Sequence, residues 1–349
     1  MAKYNSAAAI LLALLISAAH LAAAEDTPAD NPRQFRQTPC TGLVPLSDMQ
    51  TDHTYKGEDG GLYGKGQNVP PNAHADAARR ELALIRPLDS EGRPSPDGKI
   101  VLMSIGMSNT RQEFAPFKDL ADADPDKNPN LIVVNAAIGG MDVAAWAANR
   151  RTEWGTAWEG ALRRLAEAQV TTQQVQVIWL KQARINPAAS GEFPVHARRL
   201  ADGIRIILQM ARERYPNLRI VYLSSRIYAG HAAIPLNPEP YAYEGAFAIR
   251  WLIQDQIAGE AQLNYDAAEG TVKSPLLLWG PYLWADGVNS RSDGLTWRRE
   301  DLAADGTHPS DRGAAKVANL LLDFFKTNPL AHPWYLAAAS ARHENAVRR

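Results

Sequence analysis

Five short, almost wholly apolar runs divide the chain from residue 99 onward. They lie at residues 100–104, 131–135, 175–180, 219–224 and 275–279. Between and after them, apolar residues recur at helical spacing over residues 157–168, 195–215, 243–258 and 310–327. Continuous apolar strands that alternate with amphipathic helices are typical of a parallel sheet covered on both faces. We therefore predict an α/β fold.

The first 98 residues do not follow this pattern. Lys3 is the only charge before an alanine-rich apolar run at residues 7–24, which Glu25 and Asp26 follow. This arrangement is typical of a secretory signal peptide at residues 1–24, with a membrane anchor as the alternative. We expect the remaining chain to comprise a polar arm, a glycine-rich loop and a helix at residues 25–98, the α/β domain at 99–327, and a tail at 328–349.

Composition narrows the possible partners and compartments. The 349 residues carry a formal net charge of −1, so no basic surplus attracts nucleic acid or an anionic membrane surface. Hydrophobic residues make up 46% of the chain, which is too apolar for disorder. A single cysteine, Cys40, excludes an intramolecular disulfide framework and a thiolate metal cluster. We expect a secreted or periplasmic bacterial protein with no nucleic-acid partner and, after cleavage of the leader, no membrane partner.

Candidate catalytic residues follow the predicted strands. They are Ser108 after the first strand, Gly139 and Gly140 after the second, Gln182 after the third, and Asp305 and His308 just before the last helix. In parallel sheets, ligands bind at the carboxyl ends of the strands. We therefore expect these residues to share one edge of the sheet.

These residue types suit nucleophilic attack on an ester. A serine hydroxyl is a weak nucleophile until a base removes its proton, and His308 can be that base for Ser108. Asp305, one turn upstream, can orient the imidazole ring and stabilise its cation. The alternatives are structural: Ser108 could be only a helix N-cap, and the Asp-Gly-Thr sequence from Asp305 could be only a turn.

A tetrahedral oxyanion needs preorganised hydrogen-bond donors. The backbone N–H of Ser108, at a strand-to-helix turn, is one candidate. The N–H of Gly140 is another, because glycine lets the backbone approach a ligand closely. The side-chain amide of Gln182 could be a third.

The four sequence blocks that carry these residues, one after each of the first three strands and one before the last helix, resemble the SGNH hydrolase superfamily, also called GDSL-type esterases. The chain as a whole is similar to secreted bacterial members. The resemblance implies a three-layer α/β/α sandwich of flavodoxin-like topology with five parallel strands. It implies that Ser108 is the nucleophile, His308 the base and Asp305 its orienter. Gly140, or Gly139 in the neighbouring register, is then an oxyanion donor. Members mostly cleave carboxylic esters without a metal or cofactor, and many remove acetyl groups from carbohydrates.

Two blocks depart from the family pattern. Met107 stands where the family usually has aspartate, at a position outside the chemistry described above. The third block has Lys181 and Gln182 in place of Gly-x-Asn, and partly resembles the Trp-x-Gln-Gly-Glu of the sialate O-acetylesterase-like branch. Gln182 is therefore the expected third oxyanion donor. Lys181 is its rival, since a cation there could stabilise an oxyanion or bind an acidic substrate.

Aromatic residues cluster between the fifth strand and the Asp305 loop. They are Trp279, Tyr282, Trp284 and Trp297. Aromatic faces stack on sugar rings, so a carbohydrate ester is favoured, with packing of the loop itself as the alternative. The residues that we expect to bind substrate are Asn109, Lys181, Arg226 and Trp284.

We expect no metal and no cofactor. The histidines form no His-x-His or His-Glu-x-x-His pair, and the Asp122-x-Asp124-x-Asp126 sequence lacks the sixth-position glycine of a calcium loop. The expected function is a serine esterase that removes O-acetyl groups from a small-molecule or polysaccharide carbohydrate ester. An O-acyltransferase with the same triad is one alternative. A non-catalytic carbohydrate-binding protein on the SGNH scaffold, suggested by the altered third block, is the other.

Overall fold

The computed structural model describes residues 37–337. The predicted signal peptide, the start of the predicted arm and most of the predicted tail lie outside the described residues. Five strands form one sheet: β1 (Ile100–Gly106), β2 (Leu131–Val134), β3 (Val175–Lys181), β4 (Ile220–Ser224) and β5 (Leu276–Trp279). All neighbours pair in parallel, in the order β2-β1-β3-β4-β5, which is the flavodoxin-like order. The predicted parallel sheet is confirmed, and each strand lies within two residues of its predicted ends.

Helices cover both faces of the sheet. Within residues 37–337 they are α1 (Asn72–Leu82), α2 (Ser108–Ala123), α3 (Val143–Ala147), α4 (Ala157–Glu167), α5 (Val195–Arg214), α6 (Tyr241–Ile257), α7 (Asp311–Thr327) and α8 (His332–Tyr335). Helix α2 packs against α7 in one layer, whereas α5 contacts α3 and α6 in the other. The predicted α/β/α arrangement is therefore confirmed. None of the helices in the described part of the chain is both long and apolar enough to cross a membrane.

Helix α2 begins directly at the end of β1 and brings Ser108 to the edge of the sheet. Its length was not apparent from the sequence, because Pro116 lies inside it and removes one intrahelical hydrogen-bond donor. Packing compensates: Phe114 and Phe117 are fully buried, and the Phe114 ring stacks on Trp179 of β3 with the ring centroids 5.5 Å apart. Tertiary contacts of this kind supply most of the stability of a helix in a protein.

The segment before β1 packs along the β5 side of the sheet. Leu46 is fully buried in the core, and Trp279 at the end of β5 donates its indole N–H to the Leu62 carbonyl at 2.6 Å. His74 of α1 bonds the Leu277 carbonyl through Nε2 at 2.8 Å. The glycine-rich loop is thus part of the packed structure.

A buried carboxylate holds this loop against α6. Glu244 accepts hydrogen bonds from the Tyr55 hydroxyl at 2.6 Å, the Lys56 ammonium at 2.9 Å and His196 Nε2 at 2.6 Å. Burial alone would raise the pKa of Glu244, but the bonds from His196, Lys56 and Tyr55 outweigh it and hold the pKa below its usual value. The cluster ties the loop to both α5 and α6.

Candidate active site

Ser108 and His308 meet at the carboxyl edge of the sheet although 200 positions separate them. Ser108 is the first residue of α2, and His308 lies in the loop before α7. The Ser108 Oγ and His308 Nε2 atoms are 2.7 Å apart, within hydrogen-bond distance. The hydroxyl therefore has an imidazole nitrogen in position to take its proton.

Asp305 orients the ring from the other side. Its Oδ2 lies 2.6 Å from His308 Nδ1, and its Oδ1 accepts the backbone N–H groups of Thr307 at 2.9 Å and His308 at 3.0 Å. Burial alone would raise the pKa of Asp305, but the bonds from His308 and Thr307 outweigh it and hold the pKa below its usual value. Asp305 is thus an ionised acceptor that favours the tautomer with a proton on Nδ1, leaving Nε2 free for Ser108.

The loop that carries this pair has a conformation that requires glycine. Gly306 has a φ of +65°, and a Cβ atom placed there would lie 1.8 Å from the His231 carbonyl oxygen. The Thr307 carbonyl then accepts two donors, Asn109 Nδ2 at 2.9 Å and Arg226 Nη2 at 3.0 Å. The His308 loop is thereby held to α2 and to the segment after β4.

Ser108 and Gly140, whose backbone N–H groups the sequence predicts as oxyanion donors, both line one pocket. Ser108 begins α2, where the first N–H groups have no intrahelical acceptor and the preceding Met107 offers no side-chain cap. Gly140 is exposed, has a φ of +75° and lines the same pocket as Ser108. Asp142 steadies the Gly140 loop, since its carboxylate caps α3 through Ala145 N–H at 3.0 Å and accepts Ile185 N–H at 3.1 Å.

The end of β3 does not place the side chains of Lys181 and Gln182 in this site. Gln182 is buried, is not among the residues that line the pocket, and both its polar side-chain atoms lack a hydrogen-bond partner within the described residues. The prediction of Gln182 as an oxyanion donor is not supported, because its amide does not reach the pocket. Ala183 and Arg184, the next residues, line the pocket instead.

Lys181 was expected to face an oxyanion or a substrate, and this prediction is wrong. Its side chain is fully buried and forms an ion pair with Glu113 of α2, which is equally buried. Burial lowers the pKa of Lys181 to about 8, against the opposing effect of Glu113. The Lys181 ammonium pairs with Glu113 inside the protein, beneath α2, and does not reach the pocket.

A pocket of about 260 Å³ opens beside the hydroxyl and the imidazole. Its wall consists of Met107, Ser108, Asn109, Gly140, Asp142, Ala183, Arg184, Ile185, Arg226, Leu236, Asn237, Thr307 and His308. Several polar side chains in this wall bond to neighbours: Arg184 Nε donates to Ser190 Oγ at 2.7 Å, and Asn237 Nδ2 donates to the Arg184 carbonyl at 3.3 Å. The wall therefore combines engaged polar groups with apolar side chains such as Ile185 and Leu236.

Two of the four expected substrate-binding residues reach this pocket. Asn109 and Arg226 line it, but each donates to the Thr307 carbonyl. Arg184, Leu236 and Asn237 were not proposed as site residues. Arg184 could have been found from its position after β3, whereas Leu236 and Asn237 come from a long loop without a motif.

The aromatic cluster does not face the pocket, so the prediction for Trp284 is wrong. Trp284 is fully buried, donates its indole N–H to Glu239 at 2.8 Å and packs on Tyr243 with a centroid distance of 4.8 Å. Trp279, Tyr282 and Trp297 are buried as well. These rings pack the loop itself, because large aromatic faces gain more from burial than from exposure beside a cleft.

No family model matches the chain, and no curated protein matches it. Among solved structures it is similar to a protein from Bacteroides fragilis described as an acylhydrolase, with 16% identity over 73% of this chain and 96% of that chain and a TM-score of 0.35. It is also similar to an extracellular lipase from Streptomyces rimosus, with 11% identity over 64% and 99% of the two chains and a TM-score of 0.32.

A third similar structure is a salicylyl-acyltransferase from a tetracycline biosynthetic pathway, with 14% identity over 68% and 58% of the two chains and a TM-score of 0.32. TM-scores this low do not carry a function from one protein to another.

Proposed function

We propose that the protein is a serine-dependent hydrolase of carboxylic esters. The observation that carries the proposal is the continuous hydrogen-bonded chain from Ser108 Oγ through His308 to Asp305, which opens into a pocket. A nucleophile, a base within hydrogen-bond distance and an acid that orients the base are the parts that acyl-enzyme chemistry requires.

The first half-reaction forms an acyl-enzyme. Ser108 Oγ attacks the ester carbonyl carbon while His308 Nε2 takes the hydroxyl proton, and Asp305 stabilises the resulting imidazolium. The carbonyl oxygen becomes an oxyanion that accepts the N–H groups of Ser108 and Gly140, each contributing about 3–4 kcal/mol to stabilising the transition state. His308 then donates its proton to the departing alcohol oxygen, and the acyl group stays on Ser108.

The second half-reaction reverses these roles. Water loses a proton to His308 as it attacks the acyl carbon, the same N–H groups hold the second oxyanion, and the proton returns to Ser108 Oγ. The products are the free acid and the regenerated hydroxyl. No group beyond these residues and water is needed to balance the reaction.

We further propose that the substrate is an O-acetylated or similarly short-acylated carbohydrate. The SGNH resemblance favours carbohydrate deacetylation, and the pocket suits a small group on one side of the ester: a protein cavity of roughly 150 Å³ already holds a benzene ring. The buried aromatic cluster lends this no support. Export from the cell remains a proposal based on the apolar run at residues 7–24.

A fluorophosphonate probe followed by peptide mapping tests the proposal without knowledge of the substrate. We expect the label on Ser108, and we expect Ser108→Ala to abolish both labelling and the hydrolysis of p-nitrophenyl acetate. Ser225→Ala is the matched control, because that buried hydroxyl has no hydrogen-bond partner among residues 37–337 and does not line the pocket.

Turnover retained by folded Ser108→Ala protein, or a label on another residue, would refute the assignment. Diversion of the acyl group from water to an added sugar would indicate the acyltransferase alternative. A protein that is neither labelled nor active but binds glycan would support the non-catalytic one.

A further inference from the structure

A second cavity meets the pocket at Ser108. This groove, of about 780 Å³, lies between α2 and α4 beside the edge strand β2, and we call it the α2–α4 groove. It has about three times the volume of the pocket, and Ser108 belongs to the walls of both. An ester carbonyl bonded to Ser108 would therefore have a small space on one side and a long open space on the other.

One wall of the groove is a stripe along α2. Ser108, Arg111, Gln112, Ala115 and Lys118 all line it, at the i, i+3, i+4, i+7 and i+10 spacing that places residues on one helix face. Ten residues at 1.5 Å each give this wall a length of about 15 Å. Arg111 comes one turn after Ser108, so its side chain starts about 5–6 Å from that of the nucleophile.

The lining of the groove holds more cationic than acidic residues, although the chain as a whole carries a net charge of −1. Three of its lining residues are cations, Arg111, Lys118 and Arg164, and Glu167 is its one acidic lining residue in the described part of the chain. Arg164 pairs with Glu167 at 2.8 Å, and Lys118 pairs with Asp122.

Arg111 differs from the other two cations. It is exposed, and its side chain makes no ion pair with an acid of residues 37–337. A guanidinium presents a planar fork of donors that fits a carboxylate in a bidentate manner. The guanidinium of Arg111, one turn from Ser108, is thus a group that recognises carboxylates.

We propose that the α2–α4 groove binds the alcohol half of the substrate and that this half is an acidic carbohydrate, whose carboxylate pairs with Arg111. The inference rests on the proposed function and adds the substrate class to it. The sizes of the two spaces support the assignment, because the groove has about three times the volume of the pocket, which suits the short acyl group.

The test compares an acidic with a neutral substrate. Suitable probes are O-acetylated oligogalacturonate, O-acetylated xylo-oligosaccharide and p-nitrophenyl acetate. We expect Arg111→Gln to raise KM for the oligogalacturonate about tenfold, as loss of a charge-assisted hydrogen bond would. KM for the other two substrates should not change. Arg111→Lys should recover part of the loss, and Arg199→Gln, at an exposed arginine of α5, is the matched control.

Binding gives a second readout that does not need turnover. Calorimetry with non-acetylated oligogalacturonate should show about tenfold weaker binding to the Ser108→Ala, Arg111→Gln double variant than to Ser108→Ala alone. Equal effects on acidic and neutral probes, or no effect on either, would overturn the inference. The proposed function fails separately, if wild-type protein neither hydrolyses p-nitrophenyl acetate nor reacts with the fluorophosphonate.

Discussion

At the scale of single residues, the candidate site depends on side chains that hold His308 in place. The Thr307 carbonyl, next to His308, accepts from both Asn109 and Arg226. These two residues were expected to bind substrate, and their contacts give them a positioning role instead. A displacement of the imidazole by even 1 Å can cost a large factor in rate, so such contacts matter for turnover.

We predict that Asn109→Ala lowers kcat about tenfold and leaves KM unchanged, because Arg226 alone still holds the Thr307 carbonyl. Steady-state kinetics on p-nitrophenyl acetate measures this split. Asn237→Ala is the control, since that amide lines the same pocket but bonds to Arg184 rather than to the His308 loop. A rise in KM at constant kcat for Asn109→Ala would contradict the positioning role.

At the scale of elements, the loop before α7 acts as a rigid carrier of Asp305 and His308. Its backbone passes so close to the His231 carbonyl that only a residue without a Cβ fits at position 306. Backbone bonds add to this, including Ala233 N–H to the Asp305 carbonyl at 2.9 Å. The positions of Asp305 and His308 relative to Ser108 therefore depend on the loop as a unit.

We predict that Gly306→Ala lowers kcat/KM at least a hundredfold, because the loop must move away from His231 and take the imidazole with it. Gly294→Ala is the matched control: its φ is +88°, but a Cβ there meets open space. That variant should lose only about 1–2 kcal/mol of stability and keep its activity. Activity close to wild type in Gly306→Ala protein would show that the loop is not rigid.

The Glu244 cluster also connects separate elements, and it contributes to the stability of the fold. We predict that Glu244→Gln lowers the free energy of unfolding by about 2 kcal/mol at pH 7, since three bonds to a buried charge are weakened. The native pKa of Glu244 lies below its unfolded value of about 4.3. Its stabilising contribution is therefore complete above that pH and is lost as the pH falls through the native pKa.

Urea unfolding at several pH values checks this prediction. The difference between wild type and Glu244→Gln should be constant above about pH 5 and shrink below about pH 4. A difference that grows on acidification would reverse the assigned direction of the pKa shift.

At the scale of the whole molecule, the segment before β1 contributes to the core of the sheet. Leu46 and Ala78 are fully buried in it, and the Trp279 indole depends on the Leu62 carbonyl. Apolar surface on the β5 side would be exposed without this segment. The α/β domain from residue 99 onward thus packs against the preceding segment, which the apolar periodicity of the domain does not predict.

We predict that a chain of residues 99–349 does not fold stably, whereas residues 25–349 do. The shorter chain leaves large apolar side chains of β5 in water, and exposed apolar patches of that kind cause aggregation. Size-exclusion chromatography and near-ultraviolet circular dichroism distinguish the two outcomes. A monomeric, cooperatively unfolding 99–349 chain would show that the preceding segment is dispensable.

Local patterns in the sequence were enough to predict the sheet and the three residues of the candidate triad. Apolar periodicity is a local property, so it locates the strands of a parallel sheet directly. The rule that chemistry lies at the carboxyl ends of those strands then brings Ser108, Asp305 and His308 to one edge.

Which of the neighbouring side chains face the pocket depends on packing between distant segments. Lys181 and Trp284 both lie in the sequence close to the ends of strands at the carboxyl edge of the sheet. Lys181 is nevertheless buried in an ion pair, and Trp284 is buried by packing against another ring. Whether such a side chain turns inward depends on the partners that distant segments bring to it, here Glu113 of α2 and Tyr243 of α6. Those partners are set by packing in three dimensions, and no local pattern of residues encodes them.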